Sequence, residues 1–158
     1  MKTATLNELK KELELLDRKK LLDLNLRLSK YKKENKELLT YLLFEADNEQ
    51  AYIKSIRQEI DSQFADMNLS NLFLAKKTIR KVLRTANKFI RFSGSKQTEV
   101  EVRIYFCNGL KKSGVQFRKS QVLVNLYENQ VKKINEALDK LHEDIRFDYR
   151  EEVEQLVY

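Results

Sequence analysis

Apolar residues recur every three or four positions along most of this 158-residue chain, which is the spacing of one face of an α-helix. The first three stripes consist of Leu6, Leu9, Leu13 and Leu16, of Leu21, Leu24, Leu28 and Tyr31, and of Leu38, Leu39, Leu42, Leu43 and Ala46. Thr5 with Glu8 has the form of a capping box and Asp17 that of an N-cap, so we expect a helix to begin after each. Residues 31–36 are polar, and the pattern leaves open whether they form a loop or continue a helix.

Two further helices are predicted in the middle of the chain. Asp47, followed by Gln50, is typical of a helix start, and the helix is expected to run to about residue 67. Its apolar stripe consists of Ile53, Ile56, Ile60 and Phe64. The next helix, residues 71–92, has an apolar arc that predicts a central core helix, and Gly94 is expected to end it. This arc consists of Leu72, Ala75, Ile79, Val82, Leu83, Ala86, Phe89 and Ile90.

Residues 98–114 give a mixed signal. Three β-branched residues alternate with charged ones, as in a strand: Val100, Val102 and Ile104. Asn108-Gly109 is also a dipeptide typical of hairpins. Against this, Thr98 with Glu101 has the form of a capping box, and no second strand is available for pairing. We therefore predict a helix.

The last apolar stripe begins near residue 119. It consists of Val122, Leu126, Val131, Ile134, Leu138, Leu141 and Ile145, and continues through Tyr149, Val153 and Leu156. The pattern fits either one helix of about 38 residues or two helices broken near Asp148. Asp148 with Glu151 has capping-box form, so we favour the break.

These elements predict an all-α fold of about seven amphipathic helices in a single domain spanning residues 1–158. The absence of proline and the presence of only three glycines agree with this prediction. Short connections between helices favour either a bundle or an irregular, solenoid-like stack of helical pairs. The sequence has no fixed-period repeat with shared signature residues.

The charge distribution divides the chain. No carboxylate occurs between Asp66 and Glu99, where there are eight basic residues, although the whole chain carries only +7. Six of these basic residues share one arc of helix 71–92 and form the candidate macromolecule-binding surface, which we call the basic face. They are Lys77, Arg80, Lys81, Arg84, Lys88 and Arg91. Residues 136–154 contain eight acidic residues against three basic ones, so a basic middle is followed by an acidic end.

The basic face has several interpretations. It is either solvated, or paired with the acidic residues 136–154, or open to an acidic protein, to nucleic acid or to an anionic membrane surface. Stacking on Tyr105, Phe106 and Phe117 would extend it for single-stranded nucleic acid if those residues lie beside it. No DNA-docking motif accompanies the cations, so contacts to phosphates are expected rather than base readout. Membrane insertion is the least favoured of these interpretations, because we expect neither clustered tryptophan nor exposed leucine beside the lysines.

The residues that catalysis usually recruits are scarce. The chain has one histidine, His142, which we expect to face solvent, and one cysteine, Cys107, which we expect to be buried. Two glycines, Gly109 and Gly114, have the spacing of a phosphate-binding loop, but the required Lys and Ser/Thr do not follow. We therefore predict no catalytic residue, no metal site and no cofactor.

The single cysteine favours a reducing compartment, and the first twenty residues lack the apolar core of a signal peptide. We predict a cytoplasmic, non-enzymatic interaction or scaffold protein that presents its basic face to an acidic macromolecule. A protein partner is preferred, and nucleic acid bound through its phosphates is the alternative. We predict no membrane association, while the pattern neither requires nor excludes a homo-oligomer.

Overall fold

The computed structural model describes residues 2–157, and within this range it is helical without any β-strand. The all-α prediction is confirmed. The chain groups into two compact units, which we call unit 1 (Met1–Phe44) and unit 2 (Glu45–Tyr158). Each unit is described by itself, and the assignment of residues 1–158 to a single domain stays a prediction.

Unit 1 contains three helices, α1 (Leu6–Glu14), α2 (Arg18–Tyr31) and α3 (Lys33–Phe44). The backbone N–H of Glu8 donates to the Thr5 hydroxyl at 3.3 Å, and the Thr5 N–H donates to the Glu8 carboxylate at 2.7 Å. Asp17 accepts from the N–H of Lys20 at 2.9 Å. Both predicted helix starts are confirmed, because each satisfies backbone donors that the first turn leaves unpaired.

A single residue separates α2 from α3. Lys32 is extended, with φ −140° and ψ 144°, so residues 31–36 form neither a loop nor a continuous helix. The side-chain amide of Asn35 donates to the carbonyl of Leu28 at 2.8 Å across this joint. The two helices then pack against each other.

The apolar stripes of unit 1 remain largely exposed. Tyr41 is the only buried residue in the described part of this unit. The exposed large apolar side chains are Leu6, Leu9, Leu13, Leu15, Leu22, Leu24, Leu26, Leu28, Tyr31, Leu42, Leu43 and Phe44. The sequence pattern therefore predicts the helices of unit 1 correctly, but the packing within the unit does not cover their apolar faces.

Unit 2 contains the core. Its helices are α4 (Glu49–Ala65), α5 (Leu72–Ser93), α6 (Lys96–Lys112), a 3₁₀ helix (Phe117–Lys119), α7 (Gln121–Leu138), α8 (Glu143–Asp148) and α9 (Arg150–Glu154). Seven of the nine α-helices in the described range have seven or more residues, as the stripes predicted. Asn48 rather than Asp47 caps α4, since its side chain accepts from the N–H of Ala51.

Helix α6 occupies the centre of unit 2, where it packs against α4, α5 and α7. Its buried residues are Thr98, Val100, Val102, Arg103, Ile104, Phe106, Cys107 and Leu110. Because three helices surround it, apolar residues are buried on several of its sides, and this explains the strand-like alternation in its sequence. The helix prediction for residues 98–114 is confirmed, whereas the central position predicted for residues 71–92 belongs to α6.

The junction between α5 and α6 is short. Gly94 has φ 68°, a left-handed conformation that glycine adopts without steric cost, and it ends α5 as predicted. Ser95 then caps α6 by accepting from the N–H of Thr98. The proposed capping box of Thr98 with Glu101 is therefore wrong. Thr98 lies inside the first turn, and its hydroxyl donates to Glu49 of α4 at 2.5 Å.

Gly109 lies inside α6 and allows α4 to approach closely. A Cβ atom at this position would lie 2.8 Å from Cε2 of Phe64, well inside van der Waals contact. The Phe64 ring in turn packs on Phe106, with 5.8 Å between the ring centroids. Gly109 therefore serves helix packing, although Asn108-Gly109 resembles a hairpin dipeptide.

The long C-terminal stripe is broken twice. One break, at Tyr149 between α8 and α9, agrees with the predicted break near Asp148. The other, between Leu138 and Glu143, was not predicted, and His142 caps the helix that follows it. The end of the chain returns to the core, where Leu156 is fully buried and its carbonyl accepts from the Tyr127 hydroxyl at 2.8 Å.

Candidate macromolecule-binding surface

Helix α5 positions the candidate surface. Its first turn is capped by Asn71, whose side chain accepts from the backbone N–H groups of Phe73 and Leu74. Its inner side is buried against α4 and α6 through Ala75, Ile79, Val82, Ala86, Ile90 and Phe92. These six buried positions over 22 residues fix the orientation of the helix about its own axis. The opposite arc is thereby fixed toward solvent.

Four cations of the basic face are exposed and free of ion pairs. Lys77, Arg80, Lys81 and Arg84 form no ion pair with another residue of the described range. They lie within two turns, so four positive charges fall within roughly 10 Å along the axis. Like charges at this spacing repel one another, and an acidic partner would relieve that repulsion.

The other two predicted residues are engaged within the protein. Lys88 is half-buried, and its ammonium lies 4.9 Å from the centroid of the Phe89 ring. Arg91 is exposed but also has an interaction within the chain. The assignment of all six residues to a binding surface stays a prediction, and its first four members are the most accessible to a ligand.

An exposed phenylalanine heads the basic face. Phe73 has 75% of its surface exposed and lies four residues before Lys77, so both fall on one side of the helix. Leu69 and Leu72, just before it, are also exposed. The apolar arc predicted from the sequence includes Leu72 but neither Leu69 nor Phe73, so this exposed group was not predicted. The arc therefore combines an apolar end with a basic stripe.

The acidic segment 136–154 does not pair with the basic face. Its ion pairs in the described structure are local: Arg146 with Asp139 at 3.4 Å, and Lys132 with Glu136 at 3.8 Å. The hydroxyl of Tyr149, within this segment, donates to Glu101 of α6 at 2.8 Å. Tyr149 thus attaches the segment to α6, and none of its acidic residues pairs with the exposed side of α5 in the described structure.

Two of the three aromatic residues considered as an extension of this surface are inaccessible. Phe106 is fully buried, and Phe117 is buried in a stack with Tyr127 at 5.4 Å between the ring centroids. The third, Tyr105, donates from its hydroxyl to Asp61 at 2.6 Å, so an acidic group lies beside it. These residues do not form a stacking platform for bases.

A buried polar cluster in unit 2 has no counterpart in the sequence analysis. Arg103 of α6 donates from Nε and Nη2 to one carboxylate oxygen of Glu99, at 3.0 and 2.8 Å. Its Nη1 donates to Asn87 of α5 at 3.0 Å and to Gln130 of α7 at 2.6 Å. The guanidinium therefore joins three helices. Every partner belongs to the protein itself, so we assign the cluster to structure rather than to ligand binding.

The charge of Glu99 is held by this cluster. Burial acts to raise its pKa, but hydrogen bonds and charges from Lys96 and Arg103 outweigh burial and leave the pKa below the ordinary value. Glu99 is therefore ionised at neutral pH. It forms ion pairs with both the buried guanidinium of Arg103 and the half-exposed ammonium of Lys96.

Cys107 is fully buried, as predicted. Burial raises the pKa of its thiol to about 12, and the charges of Arg103 and Lys111 offset this only in part. Because the thiolate is the reactive form, Cys107 is poorly suited to nucleophilic chemistry at neutral pH.

We expect the Cys107 thiol to resist modification in the folded protein. With a chromogenic disulfide reagent at pH 8, the reaction should be slowed at least ~100-fold relative to the urea-unfolded chain. The rate should follow global unfolding as urea is added. Equal rates in the folded and unfolded protein would contradict the buried position.

Other chemistry finds little support in the geometry. His142 is exposed, and its Nδ1 accepts from the N–H of Asp144 at 3.5 Å as a helix cap. Across residues 2–157, no group of three or more His, Cys, Asp or Glu side chains is placed to hold a metal ion. None of the helices in that range is long and apolar enough to cross a membrane.

Comparison with known protein families, with curated proteins and with solved structures finds no match to this chain. Functional interpretation therefore rests on the surfaces described above.

Proposed function

We propose that this protein is a non-enzymatic helical interaction module that binds an acidic macromolecule through the basic face of α5. The single observation that carries this proposal is the group of four exposed cations without ion-pair partners, Lys77, Arg80, Lys81 and Arg84. The proposal places the protein in the cytoplasm, on the argument from its lone cysteine.

Phe73 favours a protein partner over nucleic acid. A phosphate backbone offers charge along its whole length but no apolar pocket, whereas an acidic amphipathic helix offers both charge and an apolar stripe. An exposed aromatic residue beside cations is a typical anchor in protein interfaces. Phosphate contacts by the same cations remain the alternative function.

The test uses two probes. One is a synthetic amphipathic helical peptide with leucines on one face and glutamates on the other, and the second is a labelled DNA in duplex and single-stranded form. We expect the native chain to bind the peptide. Arg80→Glu with Arg84→Glu should weaken binding at least ~100-fold, because two attractive contacts become repulsive. The matched control is Lys54→Glu with Lys112→Glu, which makes the same change of charge at exposed positions on α4 and α6.

Phe73→Ala distinguishes the two partner classes. If a protein helix is the partner, this change should weaken peptide binding by about tenfold while the salt dependence is unchanged. If phosphates are the target, binding of the duplex should fall steeply with salt and be insensitive to Phe73. The proposal would be refuted if the native chain bound neither probe at low salt. It would also be refuted if Arg80→Glu with Arg84→Glu and the control Lys54→Glu with Lys112→Glu weakened binding equally.

A further inference from the structure

Helix α1 is an amphipathic arm whose apolar side stays exposed in the single chain. Its leucines Leu6, Leu9 and Leu13 lie at helical spacing on one side, and all three are exposed. No residue of α1 is buried. A nine-residue helix is only marginally stable in water without a surface to cover its apolar side.

A groove between α2 and α3 offers such a surface. It encloses about 540 Å³, and its apolar lining consists of Leu26, Leu39, Leu43 and Phe44. Leu26, Leu43 and Phe44 are exposed in the single chain. At 1.5 Å per residue, α3 is about 18 Å long and α1 about 13 Å, so the groove is long enough to receive α1.

The charges of the two elements are complementary. Three lysines line the groove, Lys30, Lys33 and Lys36, and no carboxylate does. Helix α1 has three glutamates against two lysines. Glu12 forms no ion pair in the described structure, and neither do Lys30 and Lys36, so these groups are free to pair.

We propose that the groove of one chain binds α1 of a second copy, and that two chains exchange their arms in a symmetric dimer. The arm and the groove occur on the same chain, so two copies related by a two-fold axis each donate one arm to the other, and this reciprocal exchange closes the assembly at two.

Binding of a second copy would also stabilise unit 1 by burying apolar side chains that the single chain leaves exposed. Units of about 40 residues rarely hold a sufficient core alone and often depend on oligomerisation. The described part of unit 1 buries only Tyr41. The exchanged arms would cover Leu9, Leu13, Leu26 and Leu43 together.

The mass of the full chain in solution is the first test. Light scattering at micromolar concentration should give twice the 18.8 kDa of one chain. Leu9→Asp with Leu13→Asp should raise the dimer dissociation constant at least ~100-fold. Both positions are exposed in the single chain, so its helical circular dichroism should be retained. The matched control is Leu22→Asp with Leu28→Asp, exposed α2 positions outside the groove, which should remain dimeric.

Mixing two defective variants tests the exchange itself. An arm variant (Leu9→Asp with Leu13→Asp) and a groove variant (Leu26→Asp with Leu43→Asp) should each be monomeric alone. Mixed, they should form a heterodimer, since one intact arm meets one intact groove. A native monomer at high micromolar concentration, a dimer that survives the arm variant, or a mixture without heterodimer would overturn the proposal. None of these measurements involves the basic face of α5.

Discussion

Replacement of Arg103 by methionine is expected to lower the free energy of unfolding by about 3–5 kcal/mol, because one partner of a buried ion pair is removed. The carboxylate of Glu99 and the amides of Asn87 and Gln130 would lose their common donor in the interior of unit 2. Urea unfolding followed by circular dichroism measures this loss. The matched control is Arg146→Met, since Arg146 pairs with Asp139 and the two side chains are 48% and 72% exposed. It should cost less than about 1 kcal/mol.

The pH dependence of the Arg103 variant gives a second measure. The pKa of Glu99 is lowered from 4.5 in the folded protein. Its stabilising contribution is therefore fully present above pH 4.5 and is lost as the pH falls through the folded value. The difference between native protein and variant should be largest near neutral pH and should narrow below pH 4.5. A difference that stays constant down to pH 3 would contradict the paired state of Glu99.

Shortening Leu156 to alanine is expected to destabilise unit 2 by about 2–5 kcal/mol, as for other fully buried leucines. The change removes apolar contacts at the point where the end of the chain returns to the core. Val157→Ala is the matched control, because Val157 is the next residue and is 68% exposed. It should change the free energy of unfolding by less than about 0.5 kcal/mol. Equal effects of the two substitutions would contradict the docked end.

Tyrosine titration reports the same docking independently. Burial, together with the hydrogen bond to Glu101, raises the pKa of Tyr149 from 10 to about 12. The stabilising contribution of Tyr149 is present below pH 10 and is lost as the pH approaches 12. If Leu156→Ala frees α8 and α9, the absorbance of one tyrosinate at 295 nm should appear nearer pH 10. The Val157→Ala variant should keep the native titration.

Much of the fold follows from local chemistry. The capping box at Thr5, the Asp17 cap and the left-handed Gly94 each depend on residues within a few positions, so the sequence alone predicts them. The division of α5 into a buried and a basic arc likewise follows from helical spacing. What a pattern cannot supply is the number of neighbours around a helix. This is why α6 resembles a strand in sequence and why its central place was missed.

The buried arginine shows the same limit for polar residues. Arg103 stands in an alternating run where a charged side chain normally faces water. Its burial depends on Asn87 and Gln130, which are 16 and 27 residues away in the chain. Nothing near Arg103 in sequence distinguishes it from a surface arginine. Pairing across three helices is a tertiary property that no local pattern encodes.

The sequence predicted where the candidate site lies, but not whether its cations are exposed or paired with acidic residues of the same chain. Periodicity places Lys77, Arg80 and Arg84 on one arc, and in the structure they are exposed. Composition could not show that segment 136–154 forms no ion pair with this arc. Opposite charges in one chain suggest pairing, but only the fold determines whether the two segments come into contact. Phe73 was missed because the apolar arc predicted from the sequence begins with Leu72 and does not include it.

The position of α6 between helices that adjoin it in the chain also bears on the speed of folding. Helices α4, α5 and α7 lie within a few tens of residues of α6, so most packing partners meet by closing short loops. Short loops cost little entropy to close, and domains built this way fold within microseconds to milliseconds. The contact between Leu156 and Tyr127 spans 29 residues and joins the end of the chain to α7. Because Leu156 is synthesised after α4, α5, α6 and α7, these four helices can pack together on a ribosome before this contact forms.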